Sequence, residues 1–179
     1  MSWPFLYFHG GTLTVPELSA ARLDGILVEI GEAFMPADAV ETRELRAASL
    51  TTLIPPVVAA THDTAAWVHG VLEEPPSRHT VQRATSARIH HLFDRRLRYH
   101  DQRVIDDALE TISGLRVTTP TRTLADLTRR WCAGEEADGA IVRAWCRSMP
   151  ELHARALEEL TWGPPLHHKR AAARRLAEL

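Results

Sequence analysis

The chain has 179 residues, 45% hydrophobic and 25% charged, which suits one sizeable core or two small ones. No apolar run approaches the ~20 residues that a membrane-spanning helix needs, and Met1–Phe8 has neither a basic flank nor a small-residue cleavage site, so it does not read as a secretory leader. Only two cysteines occur, Cys132 and Cys146, with no CxxC spacing; reduced thiols and a cytoplasmic protein are expected.

The net charge of −2 conceals an asymmetry. Residues 1–75 hold three arginines against ten acids, a net −7, whereas residues 76–130 hold eleven arginines against six acids, a net +5. Residues 131–179 balance at seven of each sign, and Lys169 is the sole lysine. The central third is therefore the candidate electrostatic footprint for a phosphate backbone or an acidic partner. Its arginines 78, 83, 88, 95, 96, 98 and 103, interleaved with Tyr99, His90 and His91, form either such a surface or the solvated face of alternating strands.

In chain order, residues 14–24 predict a short helix, with Thr14 as N-cap, Pro16 in the first turn and Gly25 as stop. Ile26, Val28 and Ile30 then alternate with other residues, Gly31-Glu32 turns the chain, and Phe34 opens a return strand that Pro36 closes. Helix plus hairpin has the look of a winged-helix tail, without the second helix that would enter a DNA groove. A second helix is expected over 42–54, stopped by Pro55-Pro56, then a buried strand over 57–60.

The segment THDTAAWVHG (61–70) predicts a helix capped by Thr61 or Asp63 and ended by Gly70, with Trp67 in the core. Strands follow at His79–Arg83 and, by pattern, around Ile89, Leu97–Tyr99 and Val104-Ile105; 109–112 and 115–118 flank a tight Ser113-Gly114 turn. Thr119-Pro120 opens a helix with Leu124, Leu127 and Trp131 on its buried stripe. Helices over 135–147, 150–161 and 167–178 complete the chain, the second with a capping box at Ser148–Glu151. The expected class is α+β: a degenerate winged-helix-like head over 1–40 and a mixed body over 41–179 with a helical C-terminal end.

The residues offer little for catalysis. A nuclease triad would need Glu-x-Lys, and the only lysine, Lys169, has His167 two places before it. A nucleotidyltransferase needs a Gly-Ser turn before paired aspartates, and Asp106-Asp107 has none. His62 and His69 stand seven apart, and the adjacent pairs His90-His91 and His167-His168 should point their side chains apart. No cofactor, no metal site and no enzymatic activity are expected.

Two segments are less generic. THDTAAWVHG, ahead of a Pro-rich loop, resembles the H-x-T/S-A-A-x-x-x-G segment of AbiEi-type antitoxins through His62, Thr64, Ala65, Ala66 and Gly70. Some fifty residues later RVTTPTRTLADL resembles that family's Thr-Pro, Arg-Thr, Asp-Leu segment through Thr119, Pro120, Arg122, Thr123, Asp126 and Leu127. The resemblance covers roughly residues 40–179. It implies a winged-helix head on an α/β antitoxin domain, binding to operator DNA and a nucleotidyltransferase-type toxin as the partner counteracted. Arg122 and Asp126, four apart, either hold a partner or tie the helix to the sheet. Two functions follow as expectations: an antitoxin-like regulator acting by binding, neutralising a toxin and repressing its own promoter, or a protein–protein module of that family that no longer reads DNA.

Overall fold

The Glu17 carboxylate accepts both the backbone N–H and the hydroxyl of Thr14 at 2.7 Å, closing the first turn of α1 (Val15–Leu23). In this computed structural model, which describes residues 5–89 and 94–179, a two-stranded antiparallel hairpin follows, β1 (Leu27–Ile30) and β2 (Ala33–Pro36). Tyr7 bridges Phe34 through two backbone hydrogen bonds of 2.9 Å, adding a third piece of extended chain. The head therefore has the expected helix and hairpin, and α1 is its only helix among the described residues.

The hairpin has two apolar faces. Leu27 and Phe34 meet Leu18 of α1 in a small cluster, while Ile30, Ala33 and Met35 enter the main core. Helix α2 (Arg43–Ser49), capped by Thr42, covers that core with Ala47 and Ala48. It is shorter than the expected 42–54, and the chain reaches Pro55 through turns closed by Leu53 N–H and Ile54 N–H on the carbonyl of Leu50.

The body is a five-stranded mixed sheet of order β5-β4-β3-β7-β6, built from β3 (Val58–Ala60), β4 (His79–Arg83), β5 (Leu97–Arg103), β6 (Leu109–Ile112) and β7 (Leu115–Thr118). β3/β7 and β4/β5 are parallel pairs; β3/β4 and the β6/β7 hairpin are antiparallel. Val58, Ala60, Val81, Leu97, Leu115 and Val117 alternate onto one face and fill the main core. Strand β5 runs longer than expected, and Ile89 and Val104-Ile105 lie outside any strand.

Helix α3 (His62–Val68) sits between two cores. Ala65 faces the sheet core, with Trp67 and Val68, while the adjacent Ala66 faces a second, all-helical core. Gly70, at φ +81°, ends the helix in a Schellman arrangement: its N–H donates to Trp67 O and the Val71 N–H to Ala66 O. The second core is built on α4 (Pro120–Cys132), whose Leu124, Leu127 and Trp131 pack against α5 (Glu136–Ser148), α6 (Pro150–Trp162) and α7 (Lys169–Ala177). Arg143 and Arg175 lie over the Trp131 ring at 4.9 and 4.3 Å. The expected capping box at Ser148 does not form: Met149 is the N-cap, and the Ser148 hydroxyl turns back to Trp145 O. Among the described residues no helix is long and apolar enough to cross a membrane.

Gly31 (φ +52°) locks the head to the body. A Cβ there would collide with Ser49 Oγ and meet Leu50 and Trp67 at 3.2 Å. Gly31→Ala is expected to lower stability by about 1–3 kcal/mol, from overpacking on top of a strained backbone, measured as a drop in the urea midpoint with an unchanged m-value.

Candidate functional site

Helix α3 and the residue before it turn threonine hydroxyls onto the backbone of β4. Thr64 Oγ accepts the Thr80 N–H at 2.8 Å, and Thr61 Oγ sits 3.0 Å from His62 Nδ1 and 3.5 Å from Thr80 O. The Thr64 bond gives the Thr80 N–H, beyond the end of β3, a partner drawn from a helix side chain. His62 holds a left-handed backbone, φ +52°, at the entry to α3. Each of Thr64, Ala65 and Ala66 is fully buried, so the first sequence motif describes a tight seam between helix and sheet.

The second motif is a seam of the same kind, around α4. Thr119 Oγ accepts the Arg122 N–H at 3.3 Å, and Pro120 takes the first helical position. Thr123 Oγ lies 2.7 Å from Thr118 Oγ and reaches the carbonyls of Thr118 and Thr119, fastening the start of α4 to the end of β7. One turn on, Asp126 is completely buried and bridges two guanidinium groups: Arg122 Nε at 2.7 Å and Arg129 Nη1 at 2.5 Å. Arg129 Nε also donates to His167 O at 2.7 Å, tying α4 to the turn before α7. The i,i+4 pair read from the sequence thus makes two members of a buried triad, with Arg129 the member the spacing did not single out.

Beside this triad lies a polar cavity of about 160 Å³, walled by α3, α4, the β4/β5 side of the sheet and the 167–168 turn. Arg130 reaches across its wall to Asp138 at 2.5 and 2.8 Å and to Asp63 at 3.5 Å. Gln82 Oε1 and Arg130 Nη1 are buried here without a hydrogen-bond partner among the described residues. His100 faces His62 with ring centroids 5.9 Å apart. The His167 and His168 rings do not point apart as expected: their centroids are 4.1 Å apart, edge to face, because His168 takes a left-handed backbone (φ 57°) ahead of α7. His90 and His91 lie outside the described residues. Sequence alternation placed Gln82 on the face opposite Val81; what it could not show is that this face is covered too, so that the whole of β4 is buried but for its last residue.

The central arginines divide into two groups. Arg78 donates to Leu97 O at 2.8 Å, Arg83 holds the carbonyls of Thr85 and Ser86 and pairs with Asp101, and Arg96 pairs with Asp94 and with Glu32 of the head. Arg88, Arg95 and Arg98 are exposed and form no ion pair among the described residues. Arg98 and His100 stand two apart on β5, on the same sheet face, and the Arg98 charge adds to the burial that lowers the His100 pKa. Asp106 and Asp107 occupy a short 3-10 turn (Asp106–Ala108) rather than a strand, and Asp106 pairs with Arg116 at 2.7 Å. No group of three or more His, Cys, Asp or Glu side chains among the described residues is arranged to hold a metal ion.

Burial holds the imidazoles of His62 and His79 down to about 4, with nearby Asp126 and Asp63 respectively pulling the other way. Both are neutral when folded and protonate more readily when unfolded, so the unfolded chain binds more protons between about pH 4 and 6.5. Stability is therefore expected to be full above pH 6.5 and to fall as the pH drops towards 4; the urea midpoint followed from pH 7.5 to 4.5 measures this, and His79→Gln should flatten the slope. Asp126→Ala would leave two buried guanidinium groups without their carboxylate and is expected to cost about 3–5 kcal/mol, read from the same unfolding curves.

Comparison with known proteins gives one family: residues 58–144 match the model of the AbiEi antitoxin C-terminal domain. No curated protein matches the chain. The matched segment runs from β3 into α5 and contains both hydroxyl-rich seams, each built on a motif read from the sequence. Over residues 58–144, a little under half of its length, the chain is similar to the AbiEi-type antitoxin family.

Proposed function

We propose that the chain is an antitoxin-like regulator that works in the cytoplasm by binding, neutralising a partner toxin of the nucleotidyltransferase type without a catalytic step of its own. The observation that carries this reading is the antitoxin-domain match over 58–144. The chemistry agrees with it: the motif side chains are used up in internal bonds, and what the domain offers outward is shape and charge. Repression of its own promoter is the further half of this reading. Arg88, Arg95 and Arg98 are the side chains available for phosphate or an acidic partner, since Arg78, Arg83 and Arg96 already hold groups of the chain itself.

A second reading, a protein–protein module of the same family that has lost DNA recognition, is favoured by the head. Residues 1–40 carry five carboxylates against Arg22 alone, a surface that repels phosphate. Its one described helix also leaves the hairpin without a companion to lie in a groove.

Co-expression with a nucleotidyltransferase encoded beside it tests the toxin half: growth should be restored, and failure to restore it would remove neutralisation from the account. For the DNA half, a gel shift on the upstream region is run over a salt series. The Arg88→Ala, Arg95→Ala, Arg98→Ala triple variant is expected to bind more weakly and to lower the salt slope by about one unit for each phosphate it no longer neutralises. Absence of any shift by the unaltered protein at low salt would select the second reading.

A further inference from the structure

A groove separate from the arginine surface runs beside the start of α4. It holds about 670 Å³ between the 3-10 turn, the start of α4 and the outer face of α6. Its apolar surface comes from Ala108, Pro120 and Leu152, with Ile105 and Met149 at the rim, 46% and 50% exposed. Around these stand four carboxylates, Asp107, Glu110, Glu151 and Glu159, against a single guanidinium, Arg155. Asp107 and Glu151 are exposed and have no ion-pair partner among the described residues. Glu110 pairs with Arg43 at 2.9 Å, and Glu159 only approaches Arg122, at 3.9 Å. Burial pushes the Glu159 carboxyl pKa up, so an incoming cation would relieve it.

Helix α6 extends this wall. Arg155, Glu159 and Trp162 are spaced i, i+4, i+7, which places them on one side of the helix. Trp162 is 85% exposed. An exposed tryptophan, here at the end of the helix that walls the groove, is a residue type enriched among interface anchors, and its ring face attracts ammonium and guanidinium groups.

We propose that this groove is a docking site for a segment of a protein partner that carries arginine or lysine beside apolar side chains. The apolar floor takes the segment's aliphatic groups, the four carboxylates take its cations, and Trp162 closes over one end. Charge decides the class of occupant: nucleic acid and acidic peptides would meet the same four carboxylates as repulsion. The proposal goes beyond the antitoxin reading, because α6 lies outside the matched segment and the site does not depend on the identity of the toxin.

The test uses the full chain and a short labelled peptide alternating leucine and arginine, followed by fluorescence anisotropy. Control peptides replace arginine by glutamate or leucine by serine. The leucine–arginine peptide should bind, and binding should weaken about tenfold in Trp162→Ala and in the Asp107→Asn, Glu151→Gln pair, as expected for an interface anchor and its charges. The exposed pair Glu73→Gln, Glu74→Gln, remote in sequence from the groove, should leave affinity unchanged. All these substitutions are at exposed positions, and thermal unfolding checks that each variant folds. Equal binding by the groove variants, equal binding of the serine peptide, or no binding at all would overturn the proposal. So would a dimer in sedimentation that Trp162→Ala dissolves, since the occupant would then be a second copy of the chain.

Discussion

The arrangement of helices depends on a charge with no access to water. Asp126 lies on the buried side of α4 with Arg122 of the same helix on one oxygen and Arg129 on the other, and Arg129 continues to the backbone before α7. Ion pairs in such places are often no better for stability than well-packed apolar groups, because both ions give up their hydration. What the triad does supply is direction: Asp126 holds the Arg129 fork in place along α4, and the Arg129 Nε–H then sets the 167–168 turn against that helix. Threonine hydroxyls set the other end of α4, with Thr123 fastened to β7 and Thr119 capping the first turn. The helical core then packs against a helix whose axis and rotation are already fixed.

Between the two cores the chain uses the smallest side chains it has. Ala65 and Ala66 are consecutive on α3, about 100° apart around the helix, and each faces a different apolar cluster. Trp67 and Val68 then fill the sheet side. A larger residue at either alanine would force the clusters apart, which is why the motif here is built of small residues.

Much of this was legible in the sequence, for identifiable reasons. The β6/β7 hairpin, the start of α4 and the head hairpin each carry local signals, turn residues flanked by alternating apolar positions or a Thr-Pro start, and local signals survive folding unchanged. The Arg122–Asp126 pair was visible as spacing, but whether it faced a partner or the interior was not, since i,i+4 geometry says nothing about what covers it. The polar cavity was illegible because its walls come from β4, β5, α3, α4 and the 167–168 turn, which only the fold brings together. The arginine run looked uniform in sequence; tertiary contacts separate the side chains that brace the chain from Arg88, Arg95 and Arg98. The Ser148 cap failed because Ser148 is the last residue of α5, where its hydroxyl finds a carbonyl of its own helix first.

The apolar clusters overrun the matched antitoxin segment at both ends. Upstream of residue 58, Ile30, Met35, Ala47 and Leu50 complete the sheet core; downstream of residue 144, Leu152, Ala156, Leu160 and Leu176 complete the helical one. The stretch that matches the family model is thus a unit of sequence and not a unit of folding. Trimmed to those bounds it would show water the undersides of both clusters, and the material obtained would be sticky rather than a smaller folded domain.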